Sequence, residues 1–150
     1  MQIDVEMDHG PIIKQKAVVV PGWPVGFKTL QDTLAKTGAR MLVEVLPEWI
    51  KGKIQAKEQK HENATFTKKV EKQDGLIDMK SAVQSKNYLK ILAYEEWPRA
   101  FFEIEKDGKK NKVIITKASW KNNTLEIEKV IPEGKKEMDY KSFLLGHKLA

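Results

Sequence analysis

Apolar and polar side chains alternate through residues 2–7, with Ile3, Val5 and Met7 on one side and Gln2, Asp4 and Glu6 on the other. That is the two-residue period of a strand. Asp8-His9-Gly10 has the composition of a turn, and residues 10–20, GPIIKQKAVVV, read as a second strand. Pro21, Gly22, Pro24 and Gly26 then interrupt the backbone, because neither a ladder nor a helix continues through two prolines and two glycines packed so closely. From Phe27 the period lengthens to that of a helix. Phe27, Leu30 and Leu34 predict one helix, Gly38 its stop, and Met41, Leu42, Val45, Leu46 and Ile50 a second. Residues 52–69 lose this periodicity in a run of Lys, Glu, Gln and Asn, and read as a linker.

A different pattern follows. A short strand is expected at Leu76-Ile77 and a helix over residues 81–93, with Ser81 as its N-cap, Tyr88, Ile91 and Leu92 as its packing side and Pro98 beyond its end. Residues 99–120 carry two β-branched and aromatic runs joined about Asp107-Gly108, the signal of a hairpin, and residues 124–131 supply a further strand. Short strands, tight turns and one helix predict a small antiparallel barrel. The expected class is α+β: a partial α/β segment (strand-strand-helix-helix) over residues 1–51, a linker over 52–69, and the barrel with one helix over 70–150. Two strands and two helices leave a strand edge and a sheet face uncovered, so the first segment reads as the end of a larger sheet.

Composition narrows the function classes. A chain of 150 residues can bury a core as one domain or two small ones, and no apolar run approaches the roughly 18 residues of a membrane span. The N-terminal stretch holds acids where a signal peptide would hold lysines and an apolar run, so a cytoplasmic protein is expected. The absence of cysteine excludes disulfides, thiolate metal sites and a cysteine nucleophile. His9, His61 and His147 stand far apart without companion ligands, and no metal is expected. Trp23, Trp49, Trp97 and Trp120 are expected as packing plugs rather than base-stacking platforms. The net charge of +6 is uneven: residues 1–55 hold 7 Lys/Arg against 6 Asp/Glu, and residues 56–150 hold 20 against 15. Lysines near phosphates release condensed counterions, so this excess favours a polyanion such as RNA, although a solvated lysine-rich surface gives the same count.

Four stretches, MQIDVEMDHGPII, ATFTKKVEKQDGLID, ILAYEEWPRAFFEI and PEGKKEMDYKSFLLG, resemble the methionyl-tRNA formyltransferase family in order and spacing, from residue 1 to about residue 146. Gly134-Lys135-Lys136-Glu137-Met138, followed by Phe143 and Gly146, is the part most specific to the tRNA enzyme. The resemblance implies a Rossmann-like catalytic domain using 10-formyltetrahydrofolate and an OB-like C-terminal domain that helps to hold initiator tRNA. Only the end of the catalytic domain would be present here. The family's Asn and His and most of its folate pocket would lie upstream, in an N-terminal half absent from this sequence. The chain alone is therefore expected to bind tRNA without catalysing, and to bind no folate tightly.

By that resemblance Asp8-His9-Gly10 aligns with the family's Asp-Thr-Gly. Asp8 would be the carboxylate that orients and charges the catalytic His while the methionyl amine attacks the formyl carbon. His9 departs from the pattern. So do Leu92, where the family often has arginine, Glu96, where it tends to have proline, and Arg99, where it tends to have glycine. Trp97-Pro98 matches the family's Trp-Pro element and is expected to pack the helix on the barrel. Lys106, Lys109, Lys110 and Lys112 about the hairpin turn, with Lys117, Lys121, Lys135 and Lys136, would present a basic groove to the tRNA backbone. Two other classes stay open: an N-formyltransferase acting on a sugar or other small molecule, which needs no basic barrel, and a stand-alone RNA-binding module in which residues 1–51 are scaffold.

Overall fold

A computed structural model describes residues 1–106 and 108–147; Asp107 of the expected hairpin turn and the side chain of Lys106 lie outside the described residues. The chain divides into two compact units, Met1–Trp23 with Leu30–Lys68, and Pro24–Thr29 with Lys69–Ala150.

The class is mixed, as expected, with three helices and a four-stranded antiparallel sheet in meander order β1-β2-β3-β4. The strands are β1 (Phe101–Lys106), β2 (Lys109–Lys121), β3 (Thr124–Pro132) and β4 (Met138–Asp139), and the sheet is open rather than closed into a barrel. Lys106 faces Lys109 across the β1–β2 hairpin, leaving a two-residue turn whose Gly108 has φ 69°, the left-handed conformation such a turn requires. The β2–β3 turn is made by Asn122 and Asn123, with φ 49° and 58°; paired asparagines tolerate this region better than most residues. A bulge between Ile115 and Ala118 shifts the β2–β3 register and re-aims the residues that follow it.

The core lies in this second unit. Ile77, Ala100, Phe102, Val113, Ile115, Val130 and Phe143 are almost wholly buried, and Ile91 joins them from helix α2 (Gln84–Ala93). Tyr88 and Leu92 are half-buried beside Ile91, so the expected packing side is the observed one. Helix α2 begins three residues later than Ser81, whose hydroxyl instead accepts the Val83 N–H at 3.2 Å in a local turn. The buried Asn87 donates to the Asp78 carbonyl at 2.6 Å, tying the helix to the loop before it. Leu76 bridges Phe101 in parallel but forms no regular strand. Pro98 is buried while Trp97 is 58% exposed, so the proline is the packing half of that element. Trp23 is also mainly exposed, and of the four tryptophans Trp120 packs on an aromatic neighbour, Tyr88, at 5.8 Å between ring centroids. Arg99 has φ 68°, a conformation that glycine adopts freely, which explains why glycine suits this position. A short helix, α3 (Tyr140–Gly146), closes the core by inserting Phe143 edge-on to Phe102 at 6.1 Å.

The first unit differs from the expectation in its elements. Residues 2–7 form no strand, and residues 10–20 contribute only the pairing of Ile12 with Lys57. The two expected helices are one, α1 (Phe27–Ile50), which runs through Gly38 and includes Pro47. Gly38 keeps helical backbone, a cost of about 1 kcal/mol against alanine that a long helix absorbs. The stop lies at Gly52: its φ is 70°, its N–H donates to the Trp49 carbonyl, and Lys53 N–H donates to Glu48, the two bonds of a Schellman cap. Gly10 is the only buried residue between residues 1 and 68.

Candidate functional site

In the first unit, Asp8-His9-Gly10 is held as a tight turn. Gln2 N–H donates to the Pro11 carbonyl at 2.9 Å, and a Cβ at position 10 would run into the Gln2 carbonyl, so only glycine lets these backbones approach. Gln59 fixes the turn from the former linker: its amide Nε2 donates to the carbonyls of Asp8 (2.9 Å) and Gly10 (2.8 Å). Asp8 itself has φ 56° and is exposed, at the rim of a cavity of about 580 Å³ shared with His9, Gln59, His61 and Phe66. Its carboxylate has no side-chain partner among the described residues, leaving it free for a group from outside this chain.

His9 is engaged elsewhere. Its Nδ1 lies 2.7 Å from Asp4 Oδ2, and its ring stacks on His61 with centroids 3.7 Å apart. The Asp4 hydrogen bond raises the His9 pKa above the ordinary histidine value and lowers that of Asp4. The residue that departs from Asp-Thr-Gly is thus engaged by Asp4 and His61. The sequence does not announce Gln59 or, beyond its rejection as a metal ligand, His61 at this turn, because nothing local links residues 51 and 52 positions from their partners; Asp4, five residues from His9, is near in sequence but carries no motif.

The lysines singled out for RNA all belong to the second unit, and their surroundings differ. Lys117 Nζ lies 2.7 Å from Glu128, Lys121 3.2 Å from Glu126, and the neighbouring Lys129 3.5 Å from Glu137. Glu128 raises the pKa of Lys117, and Lys117 lowers that of Glu128. Toward the β1–β2 hairpin, Lys110 meets Glu103 at 3.4 Å, and the ammonium of Lys112 sits 3.8 Å from the centre of the Phe101 ring, a cation–π contact that fixes the charge without neutralising it. Lys109, Lys135 and Lys136 are exposed and form no ion pair among the described residues. The turn bearing Lys135 and Lys136 is tied to β2, for Glu133 N–H donates to the Lys112 carbonyl at 2.9 Å while its carboxylate accepts the Lys112 N–H. The glutamates of β3 recur at the strand period opposite β2, a cross-strand charge pattern that the sequence does display. Among the described residues no group of three His, Cys, Asp or Glu could hold a metal ion, and no helix is long and apolar enough to cross a membrane.

Comparison with known proteins adds a second line of observation. No protein-family model matches the chain. A protein of Desulfotalea psychrophila named methionyl-tRNA formyltransferase is 31% identical over 171 positions, covering 99% of this chain and 52% of the relative. That alignment is longer than the chain, so the relative carries residues with no counterpart here. Proteins of the same name from Chloroflexus aggregans and Helicobacter acinonychis are 39% and 37% identical, covering 67% and 69% of the chain and 32% of each relative. The chain thus spans about half, or less, of the length of the curated relatives it matches. Over nearly its whole length it is similar to the C-terminal part of methionyl-tRNA formyltransferases, the family whose motifs its sequence carries.

Proposed function

We propose that this chain acts as the C-terminal part of a methionyl-tRNA formyltransferase, in the transfer of a formyl group from 10-formyltetrahydrofolate to the amino group of methionyl-initiator tRNA. The observation that carries the reading is a match to a protein of that name across 99% of the chain. The structure supports a division of labour. The second unit is a packed α+β domain with an excess of lysine, suited to holding tRNA by its phosphates. The first unit buries nothing but Gly10 and exposes Ile3, Val5, Met7, Leu42 and Leu46. Such a surface calls for a cover, and a polypeptide equivalent to the remaining half of the relatives supplies one.

The chemistry assigned to this chain is limited to what its residues can do. The Asp8 carboxylate, exposed at a cavity rim and without an internal partner, would orient and charge an imidazole brought by the other half as the methionyl amine loses a proton. The cavity beside it is lined by polar groups together with Met7, Ala64 and the exposed Phe66, and no step through the formyl donor is assigned to these residues. The reading places the protein in the cytoplasm, where translation begins.

The test is formylation of methionyl-tRNA with 10-formyltetrahydrofolate, by the chain alone and by the chain joined to the preceding half of the Desulfotalea psychrophila relative. The joined protein is expected to be active, Asp8→Asn to lower its rate by about 10²-fold or more, and the chain alone to be inactive. Activity of the chain alone, or a joined protein indifferent to Asp8→Asn, would overturn this division of labour.

A further inference from the structure

The eight lysines read as an RNA surface do not form one surface. Lys106, Lys109, Lys110, Lys112, Lys135 and Lys136 belong to the β1–β2 hairpin and the turn after Pro132, whereas Lys117 faces Lys129 in the middle of the β2–β3 ladder and Lys121 stands at its Asn122-Asn123 end. From the middle of the ladder to the Asn122-Asn123 turn, Lys117, Lys129 and Lys121 are each within 2.7–3.5 Å of a glutamate, namely Glu128, Glu137 and Glu126. Asp139 faces Lys129 across the β3–β4 pairing as well. The sum of charge there is zero or negative. At the hairpin end, among the described side chains of residues 103–112 and 133–136, five lysines stand against three acids. One of those acids, Glu133, has its carboxylate on the Lys112 backbone N–H.

We propose that the RNA-binding surface of this chain is confined to the hairpin end, formed by Lys109, Lys112, Lys135 and Lys136, and that Lys117 and Lys121 take no part in it. The inference rests on the reading of the second unit as a tRNA-holding domain, and it names which part of that domain meets the phosphate backbone. Exposed ion pairs are individually weak, so a phosphate could pull Lys117 or Lys121 away from its partner. Doing so leaves a glutamate carboxylate beside the phosphate, and the local field remains unfavourable to an anion. At the hairpin end Lys109, Lys135 and Lys136 have no ion-pair partner among the described residues, so a phosphate that meets them has no ion pair to break. Lys112 brings a cation already positioned by the Phe101 ring. The two backbone-linked segments, β2 about Lys112 and the turn after Pro132, hold these charges in a fixed relation, as the exchange of hydrogen bonds between Lys112 and Glu133 requires.

The test is the salt dependence of binding to labelled initiator tRNA. Each phosphate contact removed lowers the slope of log K against log salt by about 0.7–0.9. Lys135→Gln with Lys136→Gln is expected to lower it by about 1.5, Lys135→Arg with Lys136→Arg to leave it as in the wild type, and Lys117→Gln with Lys121→Gln also to leave it unchanged. Equal loss in the two glutamine pairs, or greater loss at Lys117 and Lys121, would overturn the partition while leaving tRNA binding itself standing. A wild-type protein with no salt-dependent affinity for tRNA would overturn the parent reading and the partition together. Melting midpoints of the variants, expected to stay close to that of the wild type, separate lost contacts from lost fold.

Discussion

His9 shows how a single side chain departs from a motif and acquires a different set of contacts. Its imidazole is charged at a higher pH than an ordinary histidine because Asp4 accepts its Nδ1 proton, with Glu6 and Glu58 adding smaller attractions. A group whose pKa is raised on folding contributes its stabilisation below the unfolded value, about 6.5, and loses it as pH rises through the folded value. Asp4, whose pKa is lowered, sets the other limit: its contribution is present above the ordinary carboxylate value and fades as pH falls through the depressed one. The pairing of His9 with Asp4 is therefore strongest in mildly acidic solution. In an NMR titration His9 should lose its proton at a pH above 6.5, and Asp4→Asn should return the midpoint to about that value. A His9 midpoint unmoved by Asp4→Asn would show that the 2.7 Å contact does not persist in solution.

Among the elements, α3 has the clearest energetic role. Phe143 is 1% exposed, stacks between Tyr140 and His147, and meets Phe102 edge-on. A seven-residue helix has little stability of its own, so this buried ring is what holds it on the sheet. Phe143→Ala should cost about 3–5 kcal/mol, a large part of the stability of a small domain, and thermal melting should show a lower midpoint or no cooperative transition. Legibility in the sequence follows the range of the forces involved. The β1–β2 hairpin, β3 and the packing side of α2 were legible because alternation, turn glycines and helical spacing are local signals, and the same residues are locally satisfied in the fold. The Asn122-Asn123 turn was legible in principle, since two adjacent residues with positive φ favour that pair. Gly38 misled because a glycine marks a helix end only where its backbone turns left-handed, and that happens at Gly52 instead. Residues 2–7 alternate as a strand does, yet a strand needs a partner and the described residues supply none. Gln59 and His61 assemble with Asp8 and His9 across more than fifty residues of chain, and no local spacing announces such a contact.

For the whole molecule, the two units differ in what stabilises them. Residues 69–147 contain the whole buried apolar cluster, whereas residues 1–68 bury no side chain. Local opening is easiest where few apolar contacts must be broken. Amide hydrogen exchange should therefore be slowest in β2 and β3 about Val113, Ile115 and Val130, and fastest in residues 1–20, with α1 between them. Protection of residues 1–20 equal to that of β2 in the isolated chain would contradict this division. The central claim, that the second unit holds initiator tRNA through its lysine-rich surface, is tested most directly by titrating the protein with labelled initiator and elongator tRNAs at about 50 and 200 mM salt. The account predicts binding that weakens by about 10²-fold over that range, as four phosphate contacts require, with the initiator preferred. No binding at the lower salt, or binding insensitive to it, would contradict the claim.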